Sequence, residues 1–291
     1  MKMDDFIHFD NVSKYFGNNA ALEKVCFKIK KNSIVGLLGP NGSGKSTLMR
    51  ILSKLIISWD GDIYLEGDSI RGSSTMLKRS GFLIEDPSFY EYLTAQQNLT
   101  MFSRLTNTDP VEIKKVLKIV DLLNEKDKKV SEYSYGMKQR LGIAQAILHD
   151  PDILFFDEPN NGLDPNGIAT MNQTMDNLNK EGKTIFISTH ILEHVKELCT
   201  HVIVLRDGKL VLDGSMEDLI KNEDRYIIKL NNTQIAVDKL KLHSAIKVVD
   251  SNDKKIIVKS TLSIHDIISI IPLESELNSI SRDPNISRLF R

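Results

Sequence analysis

The sequence predicts an α/β fold: a largely parallel sheet flanked by helices, with a helical insertion and a small α+β appendix at the C-terminal end. Three observations predict it. A glycine-rich turn, Gly39–Thr47, lies between the apolar run Ile34–Leu38 and a helix-like stretch from Leu48 to Leu55. Apolar strand patterns and helix patterns then alternate from Ile153 to Arg206, the mark of βαβ units. Between these regions, about residues 90–150, helix patterns replace the alternation, with a solvated loop marked by lysine and acidic residues at Asn124–Val130.

The elements follow in order. Phe6–Val12 and Leu22–Ile29 read as strands, separated by a turn at Lys14–Asn19 that carries Tyr15 and Phe16. Strand Ile34–Leu38 feeds the glycine-rich turn and its helix. Trp59–Gly67 reads as a short strand between turns, and Gly81–Ile84 as a buried strand ending at Glu85-Asp86-Pro87. Thr94-Ala95-Gln96-Gln97 is a capping-box start for a helix. Asp109-Pro110 opens a second helix through Leu123, with proline at its first position. Ser134 starts a third, which ends before Asp150-Pro151. Strand Ile153–Asp157, helix Asp164–Lys180, strand Thr184–Ser188, helix Ile191–Cys199 and strand Val202–Arg206 complete the alternation. Asp207-Gly208 is a hairpin turn leading to Leu210–Leu212. A short helix is expected over Met216–Lys221. Beyond it, strands at Tyr226–Leu230 and Lys255–Lys259 and a helix at Ile264–Ile271 form the appendix. The expected domains are therefore 1–222 and 223–291.

Bulk properties exclude several classes of function. A chain of 291 residues with 41% hydrophobic content holds a buried core, and a net charge of -1 argues against a dedicated nucleic-acid binder. Cys26 and Cys199 are far apart and expected to be reduced. No apolar run approaches the roughly 20 residues that span a bilayer, and no secretory pattern opens the chain. A soluble, cytoplasmic protein is expected, with any membrane role mediated by a partner.

The turn Gly39-Pro40-Asn41-Gly42-Ser43-Gly44-Lys45-Ser46-Thr47 has the spacing G-x-x-x-x-G-K-S, a phosphate-binding loop. Glycines let successive backbone N–H groups point inward at a polyanion, and the helix that follows turns its positive end to the same phosphates. Lys45 is placed to reach β- and γ-phosphates, and the Ser46 hydroxyl to ligate Mg²⁺. Asp157, at the end of an apolar strand, fits the acid that holds Mg²⁺ through water. Glu158 beside it fits the general base that polarises the attacking water. His190 follows the next strand, at the sheet edge where ligands of parallel sheets sit, and a neutral imidazole there is placed to hydrogen-bond a γ-phosphate. His8, His149, His194, His201, His243 and His265 have no such placement, and no cluster has zinc spacing.

Over roughly residues 4–220 the chain resembles the ATP-binding subunit of ABC transporters. Gly39–Thr47 matches the family's Walker A motif, Asp157-Glu158 its Walker B motif with glutamate, Gly162-Leu163-Asp164 its D-loop and His190 its switch histidine. Tyr133-Ser134-Tyr135-Gly136-Met137-Lys138-Gln139-Arg140 occupies the signature usually written LSGGQQQR. The resemblance implies that Phe16, with Tyr15 as fallback, stacks on adenine. It also implies that Ser134, Gly136 and Asp164 serve an ATP bound by a second copy, the two copies closing head to tail on ATP and Mg²⁺. Separate membrane permease subunits would receive the motion, and the ATPase would sit on the inner face of the membrane through them. A groove beside the helical insertion receives the permease in such proteins, and Phe89, Tyr90 and Tyr92 are candidates for its lining or for the core.

Several positions depart from the family pattern. Tyr135 stands where glycine is usual, Met137 where glutamine is usual, and Asn160-Asn161 where Thr-Ser is common. Glu85 stands where most members have a glutamine that senses Mg²⁺. A carboxylate there resembles the "E-loop" of the bacitracin-resistance and lantibiotic-immunity branch, which implies Glu85 as a Mg²⁺ contact and peptide antibiotics as cargo. Competing readings are an exporter of a drug, lipid or polysaccharide, a non-transport ATPase of the same family, and a metabolic kinase with a phosphate loop.

Overall fold

A computed structural model describes residues 5–217 and 225–282. Two compact units divide the chain between Asp213 and Gly214.

The first unit opens with an antiparallel sheet. β1 (Asp5–Phe16) pairs with β2 (Asn19–Lys30). The expected turn at Lys14–Asn19 is shorter than the sequence suggests: Tyr15 pairs with Ala20 and Phe16 with Asn19, so both aromatics end a strand. Gly17, at φ 58°, takes the left-handed conformation that closes so tight a turn. β3 (Ile34–Leu38), the phosphate-loop turn and α1 (Lys45–Leu52) follow. β4 (Asp60–Leu65) and β5 (Asp68–Ser69) complete a sheet of order β2-β1-β4-β5. A one-turn helix, α2 (Thr75–Lys78), leads into β6 (Ser80–Leu83).

The helical insertion has the three expected helices. α3 (Ala95–Thr106) starts at the Thr94 capping box. α4 (Val111–Ile119) stops short of Leu123, which falls in a separate 3-10 turn, and Pro110 caps the helix instead of starting it. α5 (Tyr135–Ile147) is capped by Ser134. The α/β alternation then resumes with β7 (Ile153–Asp157), α6 (Pro165–Lys180), β8 (Thr184–Thr189), α7 (Leu192–Leu198), β9 (His201–Arg206) and β10 (Lys209–Ser215). The second sheet has order β10-β9-β3-β8-β7-β6, and β9, β3, β8, β7 and β6 run parallel. Strands this buried on both faces read as continuous apolar runs, as Ile153–Phe156 and Ile185–Ile187 do. One core joins the two sheets through α1, with Leu48, Met49, Ile51 and Leu52 packed among Phe9, Phe27, Phe155 and Phe186. Each such side chain contributes about 1.5–3 kcal/mol by leaving water.

The second unit contains β11 (Arg225–Leu230), α8 (Thr233–Lys241), β12 (Ile246–Asn252), β13 (Lys255–Ser260), α9 (Ile264–Ile270) and β14 (Leu277–Arg282). Its antiparallel sheet has order β12-β13-β11-β14. A β-α-β-β-α-β chain in that order is the ferredoxin-like split-βαβ arrangement. Its core is Tyr226, Ile228 and Leu230 against Ala236, Leu240 and Ile267. The helix expected at Met216–Lys221 begins at Met216, and most of it lies outside the described residues.

Candidate nucleotide site

The parallel sheet brings the chemistry to one edge. Leu38 of β3 pairs with Thr189 of β8, and Asp157 of β7 with Ser188, so the phosphate loop, Glu158 and His190 all leave the carboxyl ends of neighbouring strands. Ligands of open α/β sheets sit at that edge. A pocket of about 470 Å³ lies there, lined by Asn41, Gly42, Gly44, Lys45, Ser46 and Thr47, and also by Glu158 and Asp207.

The loop's shape follows from its glycines. Gly44 caps α1 at φ 104°, and a β-carbon there would sit 2.5 Å from the Ala21 carbonyl oxygen. Gly44→Ala is therefore expected to destabilise the nucleotide-free protein by about 1–3 kcal/mol and to weaken ATP binding. Differential scanning fluorimetry with and without ATP reads both effects, and an unchanged melting midpoint would refute the strain argument.

Lys45 is 5% exposed, and its Nζ donates to the carbonyls of Gly39 (2.8 Å) and Pro40 (3.2 Å). Burial pushes its ammonium below 10.5, opposed by the nearby charges of Glu158 and Asp157. Its Nζ is 3.9 Å from the Glu158 carboxylate. Ser43 has a buried hydroxyl with no hydrogen-bond partner among the described residues.

Glu158 is fixed by its backbone. It sits at φ 50°, and its N–H donates to both the carbonyl and the hydroxyl of Ser188 at 3.1 Å. The Ser188 hydroxyl also donates to Asp157. His190 Nδ1 lies 3.0 and 3.1 Å from the two Glu158 oxygens. Two acceptors would not hold that contact, so Nδ1 carries the proton. A neutral His190 then has no N–H left for a phosphate; donating to one requires the imidazolium or release of Glu158. That refines the expectation of a neutral imidazole at the γ-phosphate.

The residues fit Mg²⁺ in kind. Ser46 and Asp157 offer hard oxygen donors, and among the described residues no cluster of three or more His, Cys, Asp or Glu side chains is built to hold a metal alone. An ion with so few protein ligands must take most of its coordination from phosphate and water, as Mg²⁺ does.

Other expected residues lie away from this pocket's lining. Phe16 and Tyr15 end β1, 52% and 46% exposed, and Lys14 Nζ lies over the Phe16 ring, 5.1 Å from its centre. Ser134 caps α5 through a 3.3 Å bond from the Met137 N–H, and Asp164 caps α6 through a 2.9 Å bond from the Gly167 N–H. Neither they nor Gly136 line the chain's own pocket. Glu85 sits at φ 62° with its carboxylate paired to Arg50 of α1. Tyr90 and Tyr92 are exposed, while Phe89 packs edge-on against Phe102 and lines a groove of about 370 Å³ with Asp86 and Tyr135. Three participants escape a reading of the sequence. Asp207 enters the pocket from a turn that reads only as a hairpin signal, and the Arg50 and Asp86 partnerships span elements with no local spacing to reveal them.

Comparison with known proteins supplies the family context. Residues 22–161 match the family model described as ABC transporter. The chain is 38% identical over 229 residues to the bacitracin transport ATP-binding protein BcrA of Enterococcus faecalis, covering 78% of this chain and 74% of that one. It is 37% identical over 223 residues to the lantibiotic transport ATP-binding protein SrtF of Streptococcus pyogenes, covering 75% and 96%. Among solved structures, a dimeric post-hydrolysis ATP-binding cassette bound to ADP and Pi superimposes with a TM-score of 0.64 at 26% identity, covering 72% of this chain and 98% of that one.

Proposed function

The chain belongs to the ABC transporter family as an ATP-hydrolysing, ATP-binding subunit, and from that premise we propose that it drives export of a peptide antibiotic as a self-protection device. The observation that carries the cargo is the pair of relatives named for bacitracin and lantibiotic transport, joined to the carboxylate at Glu85.

In the proposed cycle the backbone N–H groups of Gly42–Thr47 and the Lys45 ammonium hold the β- and γ-phosphates. Phe16 or Tyr15 stacks on the base. Ser46 and, through water, Asp157 would hold Mg²⁺, which would supply positive charge to offset the phosphates. Glu158 takes the proton of the attacking water, with His190 holding its carboxylate in place. Ser134, Gly136 and Asp164 act on the nucleotide of a second copy. Their position outside the chain's own pocket supports this, and the N-terminus of α5 presents backbone N–H groups and a positive dipole end suited to an anion. No helix among the described residues is long and apolar enough to cross a membrane; in this reading the motion passes to separate permease subunits. The chain would sit against them on the inner face of the membrane.

Glu85 puts a carboxylate where most members of the family have a neutral glutamine. Arg50 supplies its counter-charge, which supports a carboxylate in that loop before any ion arrives. Glu85→Gln is expected to change hydrolysis or resistance severalfold while the ATP dissociation constant stays within about twofold, since a neutral amide keeps an oxygen donor. The test compares cells without the protein, with wild type and with Glu85→Gln, in an otherwise unaltered native background, for sensitivity to bacitracin and a lantibiotic. Unchanged sensitivity on loss of the protein would refute peptide export. A drug-specific change instead would favour the alternative cargo.

A further inference from the structure

The signature tyrosine is the departure that the nucleotide chemistry leaves unused. Tyr135 opens α5, one residue after Ser134. Its hydroxyl donates to Asp86 Oδ1 at 2.9 Å and accepts from Gln139 Nε2 at 2.8 Å. Gln139 is itself buried, so the amide that orients the phenol is held by packing. The Tyr135 ring lies against Gly162, where a β-carbon would come within 3.0 Å of its Cε1. Gly162 adopts φ 73°, a conformation that favours glycine. One side chain thus touches two loops: the segment after β6, which contains Glu85 and Asp86, and the turn that runs from Glu158 to Asp164.

Two neighbours strengthen this junction. Lys138 of α5 pairs with Glu91 at 2.5 Å. Pro87 packs over Gly142, where a β-carbon would sit 3.1 Å from the proline Cβ. The 85–91 segment is therefore fastened along α5 at three levels, and Tyr135 is the level nearest Ser134. A glycine at position 135 would offer neither the hydrogen bond nor the ring contact. A hydrogen bond is directional, so the phenol-to-carboxylate contact fixes the relative position of the two segments, which an apolar contact alone does not.

We propose that Tyr135 is a positioning residue that couples the Glu85–Asp86 segment to Ser134 and to the Gly162 turn, so that the segment's movement reorients the groups serving the partner copy's nucleotide. This rests on the composite-site reading above. The nucleotide bound by the chain itself is held by other residues, which predicts a separation of kinetic effects.

The experiment is steady-state ATP hydrolysis by the full-length chain, with KM and kcat resolved. Tyr135→Phe keeps the ring on Gly162 and removes only the hydroxyl. It is expected to lower kcat about tenfold, the scale of a small misplacement of reacting groups, with KM for ATP within about twofold. Asp86→Ala should match it. Asp86→Asn, which keeps an acceptor oxygen, should restore most of the activity. The Tyr135→Phe/Asp86→Ala double variant should be no slower than either single one, because both break one interaction. A Tyr135→Phe kcat within twofold of wild type, a failure of Asp86→Asn to rescue, or a double variant slowed by the product of the singles would each overturn the inference. A wild-type chain that hydrolyses ATP without cooperativity and never dimerises on ATP would instead refute the composite site itself.

Discussion

Glu158→Gln is expected to lower kcat for ATP hydrolysis by about 10²–10⁴, the contribution of a positioned general base, while leaving ATP bound. The structure makes this substitution clean. The Glu158 backbone is pinned by two bonds to Ser188, and neither depends on the side chain. Glutamine has nearly the same volume, and its amide oxygen still accepts the His190 Nδ1–H, which lies 3.0 Å from the carboxylate. What disappears is a basic oxygen able to take a proton from water. The Lys45 ammonium, 3.9 Å away, also loses a competing anion, which favours its turning to phosphate. The variant should therefore bind ATP at least as well as wild type and accumulate in any ATP-closed dimer. Phosphate release measures the first effect and size-exclusion chromatography with ATP the second. A variant that still turns over within tenfold of wild type would remove Glu158 from the role of base. His190→Ala should produce a smaller loss, because it leaves the base and removes only its orientation.

Much of this site is legible in the amino-acid sequence, for a physical reason. A phosphate loop works through backbone N–H groups, so its glycines must stand at fixed spacing, and Gly39–Thr47 declares itself locally. Asp157, Glu158 and His190 become neighbours because parallel strands align their carboxyl ends; finding two buried apolar runs in series is enough to place them. The capping box at Thr94 is similarly local. Features that depend on contacts between distant segments stay hidden. Arg50 with Glu85 and Tyr135 with Asp86 join elements far apart in sequence, and no spacing rule links them. The second unit is harder still. β12 has one buried residue, Ile246, in its seven, and β14 is rich in Ser and Asn, so neither shows the alternation that marks a strand. α8 is likewise obscured by the polar Asn231-Asn232-Thr233 start, although Ala236, Val237 and Leu240 form its buried face. The ferredoxin-like arrangement emerges only from the sheet order.

Lys45→Ala should be the more complete loss, because it removes binding as well as turnover. The ammonium is held by the Gly39 and Pro40 carbonyls, with the Glu158 carboxylate beyond hydrogen-bond distance, so it is poised to exchange neutral acceptors for phosphate oxygens. Alanine leaves those carbonyls facing a void and removes the buried cation of the loop. Hydrolysis is expected to be undetectable: deleting a donor to developing charge costs about 10²–10³ in rate by itself, and loss of detectable ATP binding adds to it. Lys45→Arg is not expected to rescue, since the planar guanidinium cannot replace a compact point charge in so tight a cradle. Proton linkage gives an independent check. Burial lowers the folded-state pKa of Lys45 below its unfolded value of 10.5, so between those two values the unfolded chain binds more protons than the folded, nucleotide-free protein. The stability contribution of Lys45 therefore rises as pH rises through the folded pKa and is lost as pH falls back through it. Phosphate beside Lys45 acts in the opposite sense, favouring the charged form. ATP binding at alkaline pH should then take up a proton, and affinity should fall as pH rises through that same window. Calorimetry in buffers of different ionisation enthalpy measures the uptake directly. A binding heat independent of the buffer at alkaline pH would mean that Lys45 stays fully charged in its buried position without nucleotide.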